Sequence, residues 1–460
     1  MVNQTRSRRE FLKTAALAAV AAPLFASPYV QRRSYSCIII GAGLSGLAAA
    51  NALRNWNVTV LEGRPRVGGR VNSFNFKENP ELVCELGGEW IGASHDRMQA
   101  LCSDFKIPLT DHRFETWLMQ DGVVKRPGQW DFSPAARAGF EKLHAAYKNF
   151  TDSDRMRLDQ YDWWTKLKEI GFSEEDLLLR DLQDSTDFGE TIRMVSAFAA
   201  ASEYFESSPA NEMDFKMKGG NSSLINALAG QIGRDSIHTG MVVQKILQRA
   251  GRVTVTANGR DFVADACICT VPARVLNQIV FDPPLPPAHS AAADKLQYAR
   301  IVKNQVLFNE RFWRAEDFSL VSDVTSHYYF HSTKSQPGKQ GILCSYAIGE
   351  KADILASQSS GRRQEIVTRD LIPLDRRAPE LAVNIQSMAW QRDAFTQGAY
   401  AVYRPGQWFK VRPILQQAHG KVLFAGEHLA DWQGFMEGAV VTGEAAANAL
   451  AGRGRIRKVS

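Results

Sequence analysis

Short apolar runs separated by turns dominate the pattern of the chain, and the first of them are arranged as a strand, a helix and a second strand. Residues 37–40 form an apolar run that ends at a glycine turn, and an alanine-rich stretch of helical composition follows. A second apolar run occupies residues 58–61. Two buried strands joined by a helix are typical of a parallel, doubly wound sheet. We therefore predict an α/β fold that opens with this unit.

Later apolar segments predict further strands and divide the chain into two domains. The strand-like runs lie at residues 242–246, 253–255, 266–271, 302–308 and 341–348, and strand, loop and helix return at 422–450. Residues 115–215 have helical patterning and many aromatic side chains, which predicts a helical insertion. We predict a discontinuous cofactor domain and an inserted substrate domain of mixed sheet and helix. The cofactor domain takes residues 36–115, 216–290 and 415–450, and the substrate domain takes 116–215 and 291–414.

The composition is that of a large globular protein and gives no support to nucleic-acid binding. The chain has 460 residues, of which 45% are hydrophobic, enough for a large core and two domains. Its formal net charge is +6, but part of this excess lies in the N-terminal segment and in a basic tail, 451–460. The body is close to neutral, so we expect no nucleic-acid partner.

The N-terminus has the composition of an export signal. Arg8 and Arg9 precede a Phe-Leu pair and Lys13, and an apolar run extends from residue 15 to residue 25. This run is too short to span a bilayer as an ordinary helix. The segment 1–27 resembles a twin-arginine signal peptide, which implies the twin-arginine translocation machinery as a partner and a periplasmic or secreted location.

The cysteines give no sign of a metal site. The chain has six of them without any Cys-x-x-Cys spacing, and several lie in strand-like runs where buried free thiols are expected. We predict no metal ligands. An oxidising compartment would permit a disulfide, but the spacing identifies no pair.

The turn after the first strand has the glycine spacing of a pyrophosphate-binding corner. Gly41 permits a tight turn, Gly43 lets a pyrophosphate approach the backbone, and Gly46 lets the helix pack on the strand. The helix start at Leu44 and Ser45 would offer free N–H groups to the phosphates. This corner predicts a bound dinucleotide.

Glu62, at the end of the second apolar run, strengthens that prediction. A carboxylate at this place accepts hydrogen bonds from ribose hydroxyls and would repel a 2′-phosphate, which disfavours NADP. A lone glycine fingerprint is weak evidence, but here the strand, the helix and the delayed acid occur together.

Further segments carry glycines and charges in an order that is found in one enzyme family. They are residues 62–70, 85–92 and 424–438. Together with the first corner they resemble segments of the flavin-containing amine oxidases, the group of monoamine, polyamine and L-amino-acid oxidases. The resemblance runs over residues 36–450 and implies a bacterial member with a Rossmann-like domain that binds FAD. The FAD contacts that it implies are Gly41, Gly43, Leu44, Ser45, Gly46, Glu62, Gly63, Arg64, Gly68, Gly69, Arg70, Gly87, Gly88, Glu89, Trp90, Val243, Gly426, Glu427, Phe435 and Met436.

Three of these positions, Arg64, Arg70 and Val243, also have a specific expected contact with FAD. Arg64 and Arg70 are suited to anchoring the phosphates or the ring system. The resemblance implies that the backbone of Val243 contacts the adenine, with an ordinary strand valine as the alternative.

Lys303 is the candidate catalytic residue. It lies in the strand-like run 302–308, where a buried lysine is costly unless it is paired or hydrated. From spacing alone an edge-strand lysine facing water is the favoured interpretation. The family resemblance implies instead a lysine that binds flavin N5 through a water and handles the proton or the oxygen during reoxidation.

Trp390, Tyr400 and Phe435 are the candidate walls of the substrate site. The resemblance implies that Tyr400 and Phe435 stand on either side of the substrate amine, although both could be plain core aromatics. Relatives with covalent flavin attach it through a cysteine before this tyrosine, and Ala399 stands there in this chain. We therefore expect FAD to be bound non-covalently.

The identity of the substrate is the least determined part of the prediction. The segment 87–92 lacks the arginine that clamps the substrate carboxylate in snake-venom-type amino-acid oxidases, which favours an amine or polyamine. Glu89 would attract a cationic substrate or else be a structural carboxylate. The main alternative is an L-amino-acid oxidase that uses another arginine, with basic amino acids among its candidate substrates. The segment 398–407, which contains Arg404, is compatible with such an enzyme.

The expected reaction is hydride transfer from the amine to flavin N5. The resulting imine hydrolyses to a carbonyl compound, and O2 as acceptor gives hydrogen peroxide. A dehydrogenase with another acceptor and a flavoprotein without oxidase activity are further alternatives, and a homodimer is among the expected partners. A desaturase acting on a lipid is disfavoured because no strong amphipathic entry helix is evident.

Overall fold

The computed structural model of the protein describes residues 35–456. The signal segment predicted at 1–27 and the end of the basic tail lie outside the described residues. The strands are β1 (Ser36–Ile40), β2 (Asn57–Leu61), β3 (Ser73–Phe76), β4 (Asn79–Glu85), β5 (Leu109–Asp111), β6 (Glu115–Gln120), β7 (Val123–Lys125), β8 (Phe215–Met217), β9 (Ile237–His238), β10 (Val243–Arg249), β11 (Arg252–Ala257), β12 (Arg260–Ala264), β13 (Ala266–Cys269), β14 (Val280–Asp282), β15 (Gln297–Tyr298), β16 (Ile301–Phe308), β17 (Phe318–Ser322), β18 (Tyr328–His331), β19 (Gly341–Ile348), β20 (Ala382–Ala389), β21 (Ala401–Val402) and β22 (Val422–Phe424). The helices are α1 (Leu44–Ala52), α2 (Asp96–Asp104), α3 (Pro134–Tyr147), α4 (Asp152–Leu158), α5 (Trp163–Glu169), α6 (Glu174–Phe188), α7 (Ala197–Glu206), α8 (Ser222–Ile232), α9 (Ala273–Leu276), α10 (Pro287–Lys295), α11 (Gly349–Ser357), α12 (Ser360–Arg369), α13 (Ala378–Leu381), α14 (Arg412–Leu415) and α15 (Met436–Ile456).

A parallel sheet of five strands, in the order β22-β13-β1-β2-β9, forms the first layer of the fold. Ile39 of β1 lies between Ile268 of β13 and Val60 of β2, and all three side chains are fully buried. Such continuous apolar strands are expected where helices cover both faces of a parallel sheet. Helix α1 leaves β1 and packs against α8 and α15. The α/β prediction and its opening strand–helix–strand unit are confirmed.

A mixed sheet of seven strands, in the order β20-β16-β19-β18-β17-β6-β7, forms the second layer. The neighbours in this sheet are antiparallel except β17 and β6. Strands β6 and β7 come from the start of the segment predicted as a helical insertion, and the helices α3 to α7 follow them. These two strands have short, partly exposed apolar patterns, which is why the periodicity did not separate them from the helices.

The position of β16 corrects one expectation. Spacing alone favoured an edge strand with Lys303 in water, but β16 lies between β19 and β20, and every residue from Ile301 to Phe308 is buried. Lys303 is therefore a buried lysine of a central strand and requires partners.

Two other expectations concern cysteines and chain ends. All six cysteines are buried and free, and burial raises the pKa of the Cys37 thiol to about 12.

Helix α15 continues to Ile456, into the segment predicted as a basic tail. Between residues 35 and 456 no helix combines the length and apolarity needed to cross a membrane, and no group of potential ligands could hold a metal ion.

The contact between α1 and α15 leaves no space for a side chain at Gly443. A Cβ atom there would lie 2.2 Å from the backbone oxygen of Ser45. Gly230 in α8 is the opposite case, since a Cβ atom there would meet nothing within 4 Å.

Gly443→Ala should therefore destabilise the protein, whereas Gly230→Ala should not. Overpacking at a rigid backbone contact costs about 1–3 kcal/mol, and an unstrained Gly→Ala change in a helix stabilises by up to about 1 kcal/mol. Thermal unfolding followed by circular dichroism measures both. Equal melting temperatures for the two variants would contradict the close packing of α1 on α15.

Candidate functional site

A cavity of about 400 Å³ extends from the end of the parallel sheet to the seven-stranded sheet. Its wall includes each residue predicted as a site residue except Gly46. The predicted residues in the wall are Gly41, Gly43, Leu44, Ser45, Glu62, Gly63, Arg64, Gly68, Gly69, Arg70, Gly87, Gly88, Glu89, Trp90, Val243, Lys303, Trp390, Tyr400, Gly426, Glu427, Phe435 and Met436. Segments far apart in sequence are thus brought together around one space.

Gly46 has a packing function instead. A Cβ atom on Gly46 would lie 1.9 Å from the backbone oxygen of Gly41, so only glycine lets α1 leave the turn so closely. On the other side of the turn, a Cβ atom on Gly69 would lie 3.1 Å from Cα of Gly43. The two glycine segments predicted from sequence therefore meet backbone to backbone at one end of the cavity.

This end of the cavity fits the diphosphate of a dinucleotide. Gly43 precedes α1 and provides no side-chain cap, so the first N–H groups of the helix keep their capacity to donate. The buried hydroxyl of Ser45 finds no hydrogen-bond partner among residues 35–456. A helix N-terminus with an unpartnered hydroxyl beside a bare glycine turn is suited to an anionic group.

Glu62 connects β2 to this corner. Its carboxylate accepts hydrogen bonds from the N–H groups of Ala42 and Arg64, both at 2.8 Å. The backbone oxygen of Glu62 accepts from Met241 N–H at 2.8 Å, which places the segment with Val243 beside it. The predicted ribose and adenine contacts are therefore neighbours in space.

The two arginines of the second glycine segment are already paired. Arg64 binds the carboxylate of Asp393, and Arg70 Nη1 donates to Glu427 Oε1 at 2.6 Å. Although burial raises the pKa of Glu427, the charge of Arg70 outweighs it and the pKa is lowered. Anchoring the phosphates with these arginines, as predicted, would use guanidinium groups whose charge is already matched. Asp393, which is far away in sequence, was not foreseen.

Lys303 lies in a buried cluster of charges. Its Nζ donates to Glu89 Oε2 at 2.6 Å and to the backbone oxygen of Gly87 at 3.0 Å. Lys216 of β8 donates to the other oxygen of Glu89 at 2.9 Å, and His112 Nε2 lies 3.2 Å from that same oxygen. Burial alone would raise the pKa of Glu89, but the two lysines hold it well below its usual range.

This cluster gives the charge of Glu89 its partners. Its carboxylate is matched by two ammonium groups, so the structural alternative is the one that the geometry supports, and Glu89 offers no net charge to a cationic substrate. Burial also lowers the pKa of Lys216, but Glu89 and Glu85 outweigh it and the pKa is raised. Lys216 and His112 were missed because each looks in sequence like a single polar residue beside a short strand.

The predicted substrate walls surround the middle of the cavity. The ring of Tyr400 lies against Gly434, where a Cβ atom would be 2.7 Å from the ring, and its hydroxyl donates to the backbone oxygen of Asp187. Trp390 donates from Nε1 to the backbone oxygen of Leu86 at 2.8 Å. The ring centroid of Phe435 lies 5.1 Å from that of His95. Tyr328 and Tyr346 complete this aromatic part of the wall.

Two acidic residues of the wall were not foreseen from sequence. Asp187 in the last turn of α6 and Glu203 in α7 both line the cavity. Burial, and then the charge of Asp184, raise the pKa of Asp187 to about 7. Helical patterning located these helices, but it gave no indication of which polar residues face inward.

Comparisons with known proteins identify the family that the sequence motifs resemble. Residues 44–451 match the family model described as flavin containing amine oxidoreductase. The L-amino acid dehydrogenase of Synechocystis sp. is 24% identical over 91% of this chain and 95% of its own. The L-amino-acid oxidase of Bothrops atrox is 25% identical over 92% of this chain and 89% of its own. The structure of cyclohexylamine oxidase from Brevibacterium oxydans IH-35A superposes with a TM-score of 0.81, at 24% identity over 91% of this chain and 99% of that one, and shows the same fold.

Removing the charge of Glu89 should destabilise the protein strongly. Glu89→Gln keeps the shape but leaves two buried ammonium groups without their shared carboxylate, and breaking a buried ion pair in this way costs about 3–5 kcal/mol. Glu169→Gln is the matched control, since Glu169 is largely exposed where it pairs with Lys166. The control should lose less than about 1 kcal/mol. Denaturant unfolding gives both values, and similar losses would contradict the buried cluster.

Proposed function

Because the chain belongs to the flavin containing amine oxidoreductase family, we propose that it oxidises an amine without a carboxylate on the reacting carbon. The protein is an oxidoreductase that acts on amine donors, and its family implies a flavin cofactor. What we propose beyond this is the class of amine that the cavity accepts. This part rests on the charges that the cavity wall presents.

The observation that carries this proposal is the pairing of the basic side chains in the wall. Among the described residues, the basic side chains that line the cavity are those of Arg64, Arg70 and Lys303. Each binds a carboxylate, of Asp393, Glu427 and Glu89 respectively. An amino-acid substrate needs a cation for its carboxylate, usually a bidentate arginine, because an unpaired buried carboxylate is costly.

The alternative arginine does not supply that cation. Arg404 is exposed and is not part of the cavity wall. The names of two relatives nevertheless refer to L-amino acids, so an L-amino acid is the second candidate substrate. Both candidates share the C–N bond chemistry and differ in one charged group, which makes them easy to separate.

The proposed chemistry divides between the cofactor and this chain. When FAD is bound, it accepts the hydride that leaves the carbon next to the nitrogen. Tyr400 and Phe435 would hold the neutral amine between their rings and exclude water. Lys303 Nζ uses two of its three donors on Glu89 and Gly87, so the third would be available to donate to a water near the ring system. The imine product hydrolyses to a carbonyl compound in water.

The electron acceptor, the export route, the oligomeric state and the division into domains belong to the same proposal. O2 as the final acceptor would yield hydrogen peroxide, and another acceptor would make the protein a dehydrogenase. Export by the twin-arginine machinery to the periplasm rests on the segment 1–27, and the homodimer stays a prediction. The division into cofactor domain and substrate domain is supported by the separate parallel and mixed sheets.

Non-covalent binding of FAD is supported by Ala399. Alanine offers no nucleophile at the position before Tyr400 where covalent members of the family have a cysteine. Acid precipitation of the yellow holoenzyme should therefore release all flavin into the supernatant, measured by absorbance. Flavin that stays with the precipitated protein would contradict non-covalent binding.

Matched pairs of amines and amino acids test the substrate class. Each pair shares a side chain and differs by one carboxylate: tyramine and L-tyrosine, agmatine and L-arginine, cadaverine and L-lysine. We expect the amine of at least one pair to bleach the flavin band anaerobically and its amino acid to act at least about 100-fold more slowly, the factor that one unpaired buried charge of about 3 kcal/mol produces. Faster bleaching by an amino acid than by its amine would overturn the proposal.

A further inference from the structure

One end of the cavity, beyond Tyr400, has a cluster of acceptors that the proposed reaction does not use. The Tyr400 ring reaches from Gly434 to the backbone of Asp187. Asp187 and Glu203 both line the cavity here, and Gln433 lies on the same wall. We call Asp187, Glu203 and Gln433 the acceptor cluster.

The members of the acceptor cluster have neighbours in common. The charges of Asp187 and Glu203 act on the same two hydroxyl groups, those of Tyr204 and Tyr400, where after burial they help to raise the pKa values. Glu203 and Gln433 also line a second, smaller cleft together with Phe435. The cluster therefore adjoins the aromatic walls between which the amine is expected to bind.

Asp187 lies where a negative charge is unfavourable. It is in the last turn of α6, which contains no basic residue, so the partial negative charge of the helix C-terminus adds to its own. Its carboxylate accepts hydrogen bonds from Tyr204 Oη at 2.7 Å and Asn211 Nδ2 at 3.1 Å, both neutral groups. The nearby cation, Arg180, donates instead to Asp184 at 2.8 Å. A cation from outside the chain would relieve this accumulation of negative charge.

Gln433 gives an independent sign of a ligand. Its side chain is only 7% exposed, and its Oε1 atom finds no hydrogen-bond donor among the residues that the structure describes. A buried amide oxygen without a donor costs free energy, and native proteins rarely leave one so unless a ligand or water supplies the N–H or O–H. The missing partner is a donor, as an ammonium group is.

We propose that the acceptor cluster is a subsite for a second ammonium group, so that the preferred substrate is a diamine or polyamine. This inference rests on the proposed function and narrows it. The neutral nitrogen that reacts would lie between Tyr400 and Phe435, and the distal ammonium would donate to the carboxylates and to Gln433 Oε1. An ammonium has three donors and no acceptor, which matches a site composed of acceptors. The rings of Tyr328 and Tyr346 beside it favour a cation as well.

The test compares a linear diamine with the amino alcohol of the same length. Cadaverine and its amino alcohol differ only in an ammonium or a hydroxyl at the far end. For the wild type, we expect kcat/KM to be about 30-fold or more higher for cadaverine, as the loss of one partner of a desolvated charge pair implies. Asp187→Asn should lower kcat/KM for cadaverine by a similar factor and change that for the amino alcohol less than about threefold.

Two further variants separate the subsite from effects on folding. Asp181→Asn lies on the same helix outside the cavity wall, where Asp181 is held by Thr191 and Ile192, and it should leave the preference unchanged. Glu203→Gln should reduce the preference as Asp187→Asn does. If Asp187→Asn does not fold, the subsite is still tested by the ratio of kcat/KM for cadaverine and its amino alcohol in the wild type and in Glu203→Gln.

The outcomes also separate the two proposals. Oxidation of the amino alcohol as fast as cadaverine, or equal losses on both substrates in Asp187→Asn, would overturn the subsite while leaving the amine reaction intact. Failure of every amine to bleach the flavin, with bleaching by an amino acid, would overturn the proposed function itself. A diamine preference that disappears in Asp187→Asn and Glu203→Gln, and persists in Asp181→Asn, supports the subsite.

Discussion

The buried ion cluster of Lys303, Glu89 and Lys216 is the interaction on which the arrangement of the site depends. Lys303 belongs to β16, an interior strand of the seven-stranded sheet, Glu89 to the segment that follows β4, and Lys216 to β8. The donor and acceptor of the Lys303–Glu89 bond are 214 positions apart in sequence. Each charge would be costly alone in this environment, but together they join three parts of the chain at the floor of the cavity.

The same pairing determines what the cavity can accept. Because Arg64, Arg70 and Lys303 each already bind a carboxylate, the wall offers a substrate carboxylate no basic side chain without a partner among the described residues. It offers instead the carboxylate of Asp187, whose hydrogen-bond partners Tyr204 and Asn211 are neutral, and Gln433 Oε1, which finds no donor among the described residues. An amine with a second ammonium group would find acceptors in this wall, whereas the α-carboxylate of an amino acid would find no free cation and would meet other acceptors.

Local sequence features predicted the fold, and they located the glycine segments that meet at one end of the cavity. The turn at Gly41 to Gly46 has a geometry that glycine alone permits, so the spacing carries three-dimensional information. The strands β1, β2, β13, β16 and β19 are rich in apolar residues and mostly buried, and the hydrophobic pattern located them for that reason. The polar residues that pair with the predicted site residues could not be predicted from local sequence patterns. Asp393 and Lys216 meet their partners in the site, and Asp187 meets the cavity, only through tertiary packing. No local pattern distinguishes an inward carboxylate at the end of α6 from a solvated one.

The central claim is that the substrate end of the cavity binds cations and not carboxylates. Titration of the oxidised holoenzyme with benzamidine and with benzoate, followed by the flavin absorption spectrum, tests it most directly, since neither compound offers an amine that can be oxidised and the two share a ring but carry opposite charges. The account predicts a saturable spectral change with benzamidine and none at equal concentrations of benzoate. Saturable binding of benzoate, with no response to benzamidine, would contradict it.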